Sequence, residues 1–94
     1  RNAAEVGLHI QTSLKRALAE TPGVKDIRGK GMMIGIELDR PCGDLVKTAL
    51  EGGLLINVTA DNVVRLVPPL VMSRTEADQL VGQLAPMIRS FLMK

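Results

Sequence analysis

Ninety-four residues with 46% apolar content make one small domain with a thin core. A net charge of +2 and a single aromatic residue, Phe91, argue against a nucleic-acid partner, since the chain offers neither a strong basic field nor a platform for stacked bases. One cysteine, Cys42, forms no internal disulfide and points to a reducing cytoplasm; no apolar run is long enough to span a membrane, and no signal peptide is visible.

Ala3, Val6, Ile10, Leu14, Ala17 and Leu18 recur at spacings of three and four, which predicts a helix over Asn2 to Glu20 with one apolar stripe. "TPG" at 21–23 stops it. Starting at Arg1, without a methionine, and running straight into a helical pattern, the chain reads as a piece of a longer protein. Val24 and Ile27 mark a short strand. In the next, Met32, Ile34, Ile36 and Leu38 alternate with Met33, Gly35 and Glu37 and so occupy opposite faces. After the loop "DRPCGD", in which Asp44 is placed to cap a helix, Leu45, Val46, Ala49 and Leu50 predict a short helix stopped by Gly52–Gly53. "LLINV" reads as a third strand, "TADN" as a turn, and "VVRLV" as a fourth strand ended by Pro68–Pro69. "SRTE" at 73–76 has the spacing of a capping box, and the helix behind it shows a core face of Leu80, Leu84, Met87, Ile88 and Phe91. Pro86 predicts a kink or break near residues 82–86.

The order α, β, β, α, β, β, α implies an α+β fold, a small antiparallel sheet of three to four strands with helices packed on it. A layer this thin is expected to leave an edge or face that needs another domain.

Few residues invite chemistry. "RGKG" at 28–31 has phosphate-cradle composition, but it opens a strand rather than a helix, and turn chemistry favours a bulge that lets Gly29 and Gly31 take unusual dihedrals. His9 has no second histidine or nearby cysteine at ligand spacing, so no metal site is expected; it reads as a surface or interface residue, and Cys42 as a loop thiol. No nucleophile sits in a recognisable elbow, and no catalytic residue is assigned. Glu37 reads as solvent-facing and the five methionines as core filler. Arg65 stands apart. It lies inside the apolar run "NVVRLVPPL" on the face of Val63 and Val67, and a guanidinium there either reaches water past its neighbours or meets an anion, a carboxylate being the natural fit to its fork.

"RGKGMMIGIEL" (28–38), "NVVRLVPPL" (62–70) and the capped terminal helix resemble the C-terminal small domain of class III aminotransferases, which are pyridoxal-phosphate enzymes of fold type I. The first run follows the family's Arg-Gly-x-Gly-Leu-Met-x-Gly-Ile-Glu pattern, with Met32 where leucine is commoner; the second carries the family's Arg-hydrophobic-x-Pro-Pro-Leu ending. The likeness covers essentially all of residues 1–94 and is strongest to the acetylornithine aminotransferases.

It implies a parent enzyme that moves an amino group between N-acetylornithine (or succinyldiaminopimelate) and 2-oxoglutarate, in arginine or lysine biosynthesis, as a cytoplasmic homodimer. It implies that Arg65 binds a substrate carboxylate while this domain helps to close the active site. It also implies that the Schiff-base lysine, the aspartate at the pyridine nitrogen and the phosphate-binding segments lie in a large domain ahead of this one, because Lys15, Lys25, Lys30, Lys47 and Lys94 match no lysine motif. The fragment alone is then expected to bind no cofactor and to be inactive. Ornithine or 4-aminobutyrate as donor, and a free-standing module binding a small anion or a partner protein through Arg65, remain the alternatives.

Overall fold

The computed structural model describes residues 2–30, 33–66 and 72–93, with side chains from Glu5 onward. Gly31, Met32, Val67, Pro68, Pro69, Leu70 and Lys94, and the side chain of Ala3, lie outside that set. The elements are α1 (Asn2–Ala17), β1 (Val24–Lys30), β2 (Met33–Leu38), α2 (Asp44–Glu51), β3 (Asn57–Thr59), β4 (Val63–Leu66) and α3 (Arg74–Leu92). The four strands form one antiparallel sheet in the order β1-β2-β4-β3.

The helices lie on one face of this sheet. Val6, Ile10, Leu14 and Leu18 bring the stripe of α1 onto Ile27, Ile34, Ile36, Leu38, Val64 and Leu66 of the strands. Ala77, Leu80, Val81, Leu84, Ala85, Ile88 and Leu92 close the core from α3, and Leu45 and Ala49 from α2. Met87 and Phe91 are only partly buried at its margin, and Ala17, at the end of the expected stripe, is exposed. Burying a leucine or isoleucine is worth about 1.5–3 kcal/mol, so these residues make the helix face of the sheet the main source of stability.

Several local expectations change. Pro86 lies inside one helix that continues from Arg74 to Leu92 and is not broken. The ring is on the solvent side, and the carbonyl that loses its donor belongs to Gly82, which is exposed and so open to hydration. The cap residue of α2 is Gly43, without a side-chain cap, and Asp44 is instead the acidic residue of the first turn, where it favours the positive end of the helix dipole. Of "LLINV" only Asn57 and Val58 are strand, and β3 takes in Thr59, the first residue of the expected turn "TADN"; Leu54 and Ile56 pack against the core from the approach to it. Gly29 is paired regularly with Ile34, and the irregularity in β1 falls between Val24 and Asp26. What makes residue 29 a glycine is close approach rather than a left-handed φ: a Cβ there would stand 2.8 Å from the Met33 carbonyl oxygen and the same distance from the Gln11 amide carbon. The capping box of α3 is present, Ser73 accepting from the Glu76 amide at 3.1 Å and Glu76 from the Ser73 amide at 2.9 Å.

Side-chain ties close the ends of the elements. Arg40 donates to the Leu92 carbonyl at 3.0 Å, so the loop after β2 caps the end of α3. Its Nε also donates to Asp39 at 2.6 Å, which holds the Asp39 carboxyl below its ordinary value. His9 bridges α1 to α3, with Nε2 2.6 Å from Asp78 and Nδ1 3.1 Å from an Arg74 N–H. With Nδ1 accepting from arginine, Nε2 is the nitrogen that carries the proton toward Asp78. Cys42, expected as a loop thiol, is fully buried, and desolvation raises its pKa. Its own amide donates to the Asp61 carbonyl at 2.7 Å, which draws the loop inward.

Candidate functional site

The face of the sheet away from the helices is built differently. Antiparallel pairing sets Arg28 opposite Gly35, Gly35 opposite Arg65, and Arg65 opposite Asn57, one row across all four strands. The adjacent row runs Asp26, Glu37, Val63, Thr59. Residues in a row share a face because strand side chains alternate. Arg28 and Arg65 therefore stand two strand spacings apart, about 10 Å between Cα atoms, with only the backbone of Gly35 between them. A groove of about 510 Å³ lies over this floor, bordered among others by Arg28, Gly35, Val63 and Arg65.

The two guanidiniums differ in state. Arg28 donates through Nη1 at 3.0 Å to both Glu37 and Asp26, and these partners, Glu37 foremost, hold it above its ordinary pKa. Glu37, expected to face solvent alone, is thus the mostly covered partner of Arg28. Arg65 is partly buried, and among the described residues no carboxylate lies within salt-bridge reach of it. Its side-chain contact is Nη2 to the Met33 sulfur at 3.1 Å. A thioether is a weak acceptor, so the fork of Arg65 retains unmatched donors at the groove. Met33 is about half exposed and belongs to this face, not to the core.

The rim of the groove is strained. Thr59 and Ala60 border it from the β3–β4 hairpin, and Ala60 and Asp61 have φ of 52° and 69°, in the left-handed region. A non-glycine residue there costs on the order of 1–2 kcal/mol. Asn62 holds the far side of the hairpin, its side-chain amide donating to the Leu38 carbonyl at 3.0 Å.

Of the residues marked in the sequence, Arg65 lies at the groove, Glu37 one row away, and Arg28, Gly29 and Lys30 of "RGKG" along its border. His9 and Cys42 are elsewhere, and no group of three or more metal-ligating side chains occurs among the described residues. Val63 shares the face of Arg65 by alternation within one strand, as the sequence implies, whereas the sequence marks Gly35 only as a strand position. The signal that joins Gly35 to Arg65 is the pairing of β2 with β4, which the chain order does not announce because α2 and β3 intervene.

No helix of the described residues is long and apolar enough to cross a membrane. Residues 1–88 match the family model for class-III aminotransferases. The chain is 58% identical over 91 residues to acetylornithine aminotransferase 1 of Bordetella pertussis, covering 97% of this chain and 23% of that protein. It is 45% identical over 91 residues to acetylornithine aminotransferase of Nitrosomonas europaea, with the same coverage. Thus it spans about a quarter of the length of these relatives. Among solved structures it superposes on ornithine delta-aminotransferase of Plasmodium falciparum with a TM-score of 0.89 at 27% identity, covering 99% of this chain and 24% of that one. An aminotransferase of Bacillus anthracis gives 0.83 at 33% identity, covering 95% and 24%. With the family model matching residues 1–88 and a relative 58% identical over 97% of the sequence, this chain belongs to the class-III aminotransferase family.

Proposed function

We propose that residues 1–94 form the C-terminal small domain of a pyridoxal-phosphate-dependent acetylornithine aminotransferase, in which Arg65 holds the carboxylate of a small amino or oxo acid. The observation that carries this reading is the open fork of Arg65 at the groove, where three of its neighbours on the sheet are a glycine, a valine and a thioether rather than carboxylates. A carboxylate docked in that fork gains two parallel charge-assisted hydrogen bonds, and the planar geometry fixes the direction of the substrate chain. That is orientation, which converts an encounter into a near-attack arrangement. Relatives bearing the name acetylornithine aminotransferase support N-acetylornithine as the donor and with it a place in arginine biosynthesis; 2-oxoglutarate as the acceptor is part of the same proposal.

Pyridoxal phosphate would supply the electron sink and carry the amino group. The described residues of this chain do not fit that group: Lys15, Lys25, Lys30 and Lys47 are all exposed, and the groove is an open floor with no enclosed phosphate cradle. The residues that hold it then belong to the large domain, and this chain contributes one wall and one cation. The exposed side chains of Leu8, Leu50 and Leu55 fit a domain that packs against its own large domain or a second subunit. A cytoplasmic homodimer follows the same reading. On it, the 94 residues alone have no transaminase activity.

The test is Arg65→Ala in the full-length enzyme. Truncating one side of a shielded charge pair costs about 2–5 kcal/mol, so kcat/KM falls roughly 30-fold to several thousand-fold. The unfolding free energy stays within about 0.5 kcal/mol of the parent, and Arg65→Lys restores only part of the rate because it keeps the charge and loses the fork. Unchanged kinetics for both the amino donor and 2-oxoglutarate would overturn the assignment.

A further inference from the structure

The row that contains Arg65 carries a second piece of information. Its middle position, Gly35, is flanked on one side by Arg28 and on the other by Arg65. Gly35 needs no left-handed φ. Nor does close packing exclude a side chain: a Cβ there would meet Val63 Cγ1 at 3.5 Å and Arg28 Cγ at 3.9 Å, ordinary van der Waals contacts. The contrast with Gly29 is direct, because there a Cβ would run into the Met33 carbonyl oxygen at 2.8 Å. Glycine in a strand interior also weakens the strand. The fold therefore has room for a Cβ at position 35, yet the position is bare.

We propose that Gly35 is a specificity-determining residue: its missing side chain is the room that a substrate carboxylate and the carbon bearing it occupy beside Arg65. The proposal rests on the reading of Arg65 above and adds a steric term to it. Any side chain at 35 rises from the floor into the gap between the two guanidiniums. The stem of Arg28 and the methyl of Val63 block its retreat on either side. Arg28 is itself held by Asp26 and Glu37, so it does not swing clear without losing both bonds. The occupant that fits is a slim carboxylate-bearing chain laid flat across the sheet, and the site rejects it progressively as volume is added at 35.

The experiment uses the full-length enzyme with Gly35→Ala, Gly35→Val and Gly35→Leu, each alone and combined with Arg65→Ala. KM and kcat for N-acetylornithine and 2-oxoglutarate are measured together with the denaturation midpoint. KM rises in the order Ala, Val, Leu for every substrate whose KM also rises in Arg65→Ala, reaching about tenfold or more with Val. The midpoints of Gly35→Ala and Gly35→Val stay at or above that of the parent, because each removes a glycine that weakens a strand interior and valine also suits a strand. In the Arg65→Ala background the Val substitution adds little, since both changes remove one docked carboxylate. A parental KM in Gly35→Val alongside a raised KM in Arg65→Ala overturns the role of Gly35 and leaves Arg65 standing. Parental KM values in both sets overturn the reading of Arg65 as well. Equal increases from Gly35→Val with and without Arg65 show a disturbance unconnected to the carboxylate and also overturn the proposal. Should Gly35→Leu fail to fold, the Ala and Val variants decide alone.

Discussion

The two faces of one sheet obey different rules. On the helix side Ile34, Ile36 and Leu38 alternate into a core closed by α1 and α3, and every contact is supplied by this chain. On the other side the same strands present Gly35 and Glu37, with Arg28 and Arg65 beside them. There one guanidinium is matched by two carboxylates and the other by a sulfur atom. The first face is complete in itself, whereas the second contains an unfilled donor set and a gap. Neighbouring residues of β2 thus face the core and the open groove in strict alternation, a direct result of the two-residue strand period.

Substituting adjacent residues of β2 tests that division. Ile36 is fully buried, and Ile36→Ala in the full-length protein is expected to cost about 2–5 kcal/mol. The KM of the folded enzyme should stay near that of the parent; a large KM change at unchanged stability would mean that the faces are not separate. A smaller effect of opposite sign is expected at the rim. Ala60→Gly removes a left-handed alanine and should raise stability by several tenths of a kcal/mol, net of the entropy that glycine returns to the unfolded chain. Thermal denaturation measures it, and a fall in midpoint would show that the Ala60 methyl makes contacts worth more than the strain. Least of all should change in Glu37→Gln. Glu37 and Arg28 are partly exposed, and pairs of that kind contribute about 0–1 kcal/mol. A loss of several kcal/mol in urea denaturation would instead make the open face a second source of stability.

Sequence periodicity was sufficient for the helix side. Val6, Ile10 and Leu14, and Leu80, Leu84 and Ile88, show their burial through spacing alone, and the Ser73–Glu76 cap through a local pattern. Arg65 was visible as a cation in an apolar run. What was not visible is lateral. Gly35 becomes a neighbour of Arg65 only because β4 pairs with β2 instead of lying beyond β3, a long-range choice that no local pattern encodes. Cys42 lies in a loop as expected, but its burial was hidden for the same reason, since the Asp61 carbonyl that bonds its amide is contributed by a distant hairpin. Met33 was counted among the core methionines although its strand position already put it with Glu37, so there the alternation was the better guide.

The bond from Arg40 to the Leu92 carbonyl bears on the order in which the domain opens. A terminal helix ordinarily frays from its free end, and its last amides exchange with solvent first. Here that end is fastened to the loop after β2, whose own arginine is steadied by Asp39, while β3 at the sheet edge is three residues long. Exchange should therefore reach the β3 edge before it reaches the final turn of α3. The β3–β4 hairpin, which borders the groove, would then be the part of the fold with the freedom to adjust while the rest stays closed.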